Sequence, residues 1–242
     1  MPGPLNGVII SVTFRATMGR RRALLFAVPA VVLIAVAALL AATAHSGSWQ
    51  PEFLGDFGFT IVLPLTSLII GTSVLGAEID DGSVVHLLAT PVPRSQVVLS
   101  KFVVAAGLTM LLGAIPEYLG AAIAAGPGSR LAVGLLAGAL AAAVIYNALF
   151  VMLSALTTRA IAIGLIYLLV WEGLLANLVP GVGLLSAGQY SLSIANGIAS
   201  NKSLHAHLTV TTAVVMGLIV TLAALVICTR KLAVFSIRGD AA

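Results

Sequence analysis

Along this chain, long apolar runs alternate with short polar gaps. Six runs approach the length of a bilayer crossing, at about 23–43, 59–77, 102–124, 131–156, 160–178 and 208–228. A spanning helix needs roughly 20 mostly apolar residues. Before the first run, Leu5, Val8, Ile9, Val12 and Ala16 recur at helical spacing, with Asn6, Thr13 and the basic residues elsewhere. That pattern predicts a short amphipathic helix lying on the membrane face. The competing reading is a frayed basic tail. Arg20–Arg22 before the first run and Ala42–Ala44 after it outline a signal peptide. The apolar part and its leader are both too long for one, so the run is read as a retained span.

Composition strengthens this reading. The 242 residues are 60% hydrophobic and 8% charged, with mean hydropathy +1.14. A soluble domain carries roughly 25% charged residues. So little charge cannot coat a water-facing surface. The expectation is an all-α integral membrane protein with one domain over 1–242. No period of 20 to 50 residues repeats.

The formal net charge is +4. Its placement marks topology and not nucleic-acid binding. With the N-terminus inside, Arg15, Arg20, Arg21, Arg22, Arg94, Lys101, Arg159, Arg230, Lys231 and Arg238 are cytoplasmic. Only Arg130 and Lys202 are outside. That asymmetry is the positive-inside pattern and places both termini in the cytoplasm. The single Cys228 ends an apolar run and is expected to be buried and inert.

One gap breaks the pattern of short connections. The segment GAEIDDGSVVHLLATPVPRSQVVLSK, Gly76 to Lys101, holds acids, a histidine, prolines and basic residues between the second and third runs. Asp81-Gly82-Ser83 followed by Val84, Val85, Leu87 and Leu88 predicts a capped short helix with an apolar face. Pro91 and Pro93 then stop it. A helix presenting Glu78, Asp80, Asp81, His86, Leu87 and Leu88 to the cytosol is a docking surface. The plainer reading is a solvated connection, although a connection needs only a few residues.

Glu78, Gly82, the Leu87-Leu88-Ala89-Thr90-Pro91 stretch, Arg94 and Lys101 together resemble the loop of ABC-2 type permeases, with Ser83 where that family often has Thr. Span order, orientation, length and the amphipathic start also resemble that family over essentially the whole chain. The resemblance implies several things. The loop is a coupling helix seated in a groove of a cytoplasmic ATPase subunit. Two permease chains pair, as a homodimer or a heterodimer with the homodimer favoured, and work with two ATPase copies, which bind ATP and Mg. The permease sits in the bacterial cytoplasmic membrane. Residues 180–207 are short re-entrant helices closing the outer exit. This chain itself contains no GxxxxGK[ST], so it cannot cradle nucleotide phosphates in that way. No cofactor is expected in it.

Acids inside spans are costly and are therefore functional candidates. Glu117 and Glu172 lie at similar depth, with no Lys or Arg at that level. One reading has them lining a route and attracting a cationic amphipath. The other has them hydrogen-bonding neighbouring helices as neutral acids, Glu117 against the carbonyl freed by Pro116. Thr66 and Ser73 share a face of the second run, as part of a pathway wall or of tight packing. Gly134 and Gly138 form GxxxG, read as internal packing. Tyr146 and Asn147 are expected to make interhelical hydrogen bonds.

His205 and His207 are poorly placed for a metal, and none is expected. No histidine lies in a run, and HExxH and GxSxG are absent, which argues against an intramembrane hydrolase. The favoured function is the permease of an exporter moving a small amphipathic or hydrophobic molecule. The alternative is a six-span ion- or proton-coupled carrier using Glu117 and Glu172. A membrane anchor without transport is a third class.

Overall fold

The computed structural model describes residues 5–43, 49–80, 92–178 and 181–239. Among them there is no strand. Helix α1 is Gly7–Thr17 and α2 is Arg20–Thr43. Helix α3 covers 49–80, through Trp49–Phe53, a π-helical stretch Leu54–Val62 and Leu63–Asp80. Helix α4 covers 94–125, with π turns at Met110–Ala114. Helix α5 is Arg130–Leu156. Helix α6 covers 160–178, of which Tyr167–Leu175 is π-helical. Helix α7 is Ala187–Ala199, flanked by 3-10 turns at Val182–Leu185 and Lys202–Leu204. Helix α8 is Val210–Gly239.

Local chemistry sets these boundaries. Asn6, Ser129 and Ser186 are N-caps whose side-chain oxygens accept from Val8, Ala132 and Gln189 amides, at 3.0, 3.1 and 3.0 Å. Gly126, at φ 92°, ends α4, because the left-handed half of backbone space is cheap only without a Cβ. Pro93 fixes the chain just ahead of α4 and prevents the helix from starting earlier.

Among the described residues, five stretches are long and apolar enough to cross a membrane: Phe26–Thr43, Leu54–Gly76, Arg94–Ala125, Arg130–Leu156 and Val210–Ala233. They match five of the six sequence runs. The remaining run forms α6, whose apolar part Ala160–Leu175 falls short of that length. Its π turns also pack more residues into each turn, so it rises less than its residue count implies.

Several helices exceed their runs. Helix α3 begins at Trp49, ten residues before the apolar run expected at 59, because Glu52 and Asp56 interrupt the hydropathy but not the helix. Helix α4 begins at Arg94, ahead of the expected 102.

Helix α1 is present, and its faces divide as expected except at Ile9, which turns toward the bundle. Ile9, Thr13 and Thr17 are the buried set, and the Asn6 amide donates to Ser100 Oγ on α4 at 3.0 Å. Leu5, Val8, Val12 and Phe14 are exposed. The hydroxyl-bearing side packs on the bundle, and the apolar side is left free to meet lipid.

Helix α5 is the axis of the fold and touches α3, α4, α6, α7 and α8. Two cores surround it. One gathers Phe59, Leu63, Leu68, Leu135, Tyr146, Phe150, Tyr190 and neighbours. The other gathers Phe26, Ile70, Leu75, Val98, Leu108, Val151 and Cys228, which is fully buried. Lys101 is also fully buried, and its Nζ donates to the Val74 carbonyl at 2.8 Å. A buried ammonium is tolerated only where its protons find acceptors, and this one ties α4 to α3 near the end of α3.

Candidate functional site

Two cavities open between the same three helices, α3, α5 and α6. The first, about 480 Å³, is lined by Thr72, Ser73 and Gly76 of α3, Ser154 of α5, and Thr157 through Ala162. The second, about 540 Å³, is lined by Asp56, Phe59 and Thr60 of α3, Tyr146 of α5 and Glu172 of α6, with α7 and the turn after it closing the far side. On every helix the two linings are separated by a layer of other residues. Leu68 lies between them on α3, Phe150 on α5, and Gly164 and Tyr167 on α6.

That intervening layer is tightly packed. Phe150 stacks on Tyr146 with centroids 5.9 Å apart, and meets Tyr167 edge-on at 6.4 Å. Edge-to-face and offset stacks are the favoured aromatic arrangements. A Cβ on Gly164 would collide with Leu68 and reach 3.4 Å from Phe150. Leu68 and Phe150 are each 1% exposed. Glycine at 164 is what lets α6 approach Leu68 of α3 and Phe150 of α5 this closely.

Glu172 is the best-connected acid. Its carboxyl oxygens accept from Tyr167 Oη at 2.7 Å, Ser186 Oγ at 2.5 Å, the Ala187 amide at 2.9 Å and the Gly188 amide at 3.3 Å. The carboxyl group therefore caps α7 from another helix. It supplements the Ser186 cap at the end where amides lack intrahelical partners. Trp171 Nε1 adds a bond to the Leu185 carbonyl at 3.2 Å. Tyr190 Oη donates to the Leu184 carbonyl. Burial first, and nearby Glu172 second, raise the Tyr190 phenol above its ordinary pKa, so it stays a neutral donor.

Helix α7 is seated by glycines of α5. A Cβ on Gly134 would come 2.5 Å from the Ala195 carbonyl, and one on Gly138 would come 2.5 Å from the Ser191 carbonyl. The GxxxG face thus receives α7, with the Phe59 ring of α3 packed beside it at Gly138.

The remaining candidates scatter. Glu117 is fully buried, and neither of its oxygens has a hydrogen-bond partner among the described residues, so the carbonyl freed by Pro116 does not serve it. It packs against Gly58 in the π-helical stretch of α3, where a Cβ would strike the carboxyl group. It lines neither of the two cavities. Thr66 is buried and donates to the Val62 carbonyl at 2.7 Å. Ser73 donates to the Ile70 carbonyl at 2.8 Å and lines the first cavity. Asn147 makes the interhelical bond, Nδ2 to Thr109 Oγ1, at 2.9 Å.

Glu78 and Asp80 fall in the last turn of α3. Asp81, Gly82, Ser83, His86, Leu87, Leu88 and Pro91 lie outside the described residues. Arg94 opens α4, and its Nη1 is buried with no partner among the described residues. Among those residues no three His, Cys, Asp or Glu side chains group as a metal site.

Asp56 was not singled out in the sequence because it precedes the apolar run. Its signal was local: one acid between Phe57 and two residues of Leu54-Gly55, inside a segment otherwise apolar enough to be helix.

The long apolar helices define a multi-pass membrane protein. A family model described as ABC-2 family transporter protein matches residues 18–183, and the chain belongs to that family. It is a membrane permease of an ABC transporter, a class that works with an ATPase subunit. No curated protein matches the chain.

Proposed function

We propose that this chain is the gate of an ATP-driven exporter for small amphipathic molecules. The observation that carries the proposal is the pair of cavities separated by the Leu68, Phe150 and Tyr167 layer. A closed layer between two cavities is a gate of the kind that alternating access would open to one side at a time. With both termini inside, as the basic residues direct, the cavity beside Arg159 faces the cytoplasm and the cavity beside Glu172 faces outward.

In this reading α6 is the sixth crossing, helped by the turns that follow it. The 78–94 segment is the coupling helix, and the ATPase lands on it. Two copies of the chain pair, each with one ATPase. Ile161, Ile166 and Leu169 on the exposed side of α6 are available to lipid or to that second copy. Movement of the coupling helix would reach the closed layer directly, because α3 carries both the Glu78 end and Leu68. The carrier alternative is disfavoured. Glu172 is engaged by four donors and Glu117 lines neither cavity.

The test uses the permease co-expressed with its ATPase in inverted vesicles. Glu78→Ala and Gly82→Pro should each lower nucleotide-dependent uptake at least several-fold, while membrane insertion stays at the parental level. Unaltered uptake in both variants would remove the coupling role.

A further inference from the structure

We propose that the cavity beside Glu172 binds organic cations, and that Asp56 is the residue that recognises their charge. This rests on the reading of that cavity as the outer part of the transport route.

The cavity's charge is one-sided. Asp56 and Glu172 both line it, and among the described residues no Lys or Arg does. The two acids are not equivalent. The Glu172 oxygens already serve Tyr167, Ser186 and two α7 amides, so approaching it would cost those bonds. Asp56 is exposed and has no hydrogen-bond or ion-pair partner among the described residues. Its capacity is therefore open to a visitor.

The backbone contributes as well. Asp56 sits in the π-helical stretch Leu54–Val62, and π turns often occur at functional sites because the inserted residue re-aims its neighbours. Gly55 lets the turn carrying Leu204 come close, at 3.2 Å from a would-be Cβ, which brings His205 beside the cavity. Phe59 and Tyr146 supply aromatic surface in the same cavity, and aromatic faces attract cations. A volume of about 540 Å³ holds a small organic molecule rather than a folded chain. An acid, aromatic walls and the absence of fixed positive charge together select a hydrophobic cation.

Tetraphenylphosphonium and tetraphenylborate have the same shape and opposite charge. The full-length chain in phosphatidylcholine nanodiscs is equilibrated with each, and binding is counted above empty nanodiscs. Tetraphenylphosphonium should bind saturably and tetraphenylborate should not. Asp56→Asn should weaken tetraphenylphosphonium about fivefold, the top of the range for an accessible ion pair. Asp56→Glu should stay within about twofold of the parent, by the same charge argument. Equal binding of both probes, or an Asp56→Asn affinity matching the parent, overturns the proposal. The measurement needs neither nucleotide nor ATPase. Cation binding without ATP-driven transport would sink the exporter reading alone, and transport without cation preference would sink this inference alone.

Discussion

Replacing Glu172 with alanine is expected to release the start of α7 from the bundle. The carboxyl group accepts from four donors, two of them backbone amides of α7 that no carbonyl can reach. Removing the acceptor leaves those amides and the Ser186 hydroxyl without a partner in a poorly hydrated place. An unsatisfied buried donor costs about 1–3 kcal/mol, so the local loss is about 3 kcal/mol or more. Amide exchange over 186–190 should then accelerate on the order of a hundredfold. Glu172→Gln keeps one acceptor oxygen and should fall between the parent and the alanine variant. The measurement is hydrogen exchange in nanodiscs. Unchanged protection at Ala187 and Gly188 in the alanine variant would show that α7 does not depend on Glu172. Transport should fall in the same order, because α7 forms one wall of the Glu172 cavity.

Gly138→Val is expected to be at least as damaging, by excess volume and not by lost bonding. A Cβ at this position would lie 2.5 Å from the Ser191 carbonyl, 2.7 Å from Ala195 Cβ and 3.0 Å from the Phe59 ring. The first two neighbours are a backbone atom and a Cβ, which move only if α7 moves. Overpacking typically costs about 1–3 kcal/mol, and a β-branched residue against fixed backbone belongs at or above the upper end. The thermal midpoint in detergent should drop by several degrees, roughly 4 °C or more. Gly107→Ala is the matched control, since a Cβ there meets nothing within 4 Å. Equal midpoints for Gly138→Val and Gly107→Ala would contradict the close seating of α7 on α5.

The helices were readable to the extent that hydropathy decides them. Runs such as 131–156 became α5 almost residue for residue, because an unbroken apolar stretch has one economical conformation in lipid. The start of α3 was not readable. Glu52 and Asp56 lower the hydropathy of 49–58, and it is tertiary contacts, such as Gln50 with the Ala124 carbonyl and Gly55 with Leu204, that show this segment belongs to the bundle.

The candidate site was legible in part. Glu172 stands out as an acid in an apolar run, but three of its four partners lie 14 to 16 residues away in a segment of weak periodicity. Spacing alone could not pair them. Glu117 gave the same signal and has a different setting, packed on Gly58 without a hydrogen bond. Gly134 and Gly138 announced close packing, though not that their guest would be α7. The aromatic layer was invisible, since Phe150 and Tyr167 read only as two more apolar residues.

The three π-helical stretches, Leu54–Val62, Met110–Ala114 and Tyr167–Leu175, have a mechanical consequence. A wide turn is a surplus residue stored in a helix, and it can migrate along the axis as a ruck travels along a carpet. Each one-residue step swivels the side chains it passes by about 100° while the rod stays intact. Asp56 and Glu172 both ride on such turns. Such a step would re-point Asp56 or Glu172 by local twisting, without tilting whole rods through the lipid.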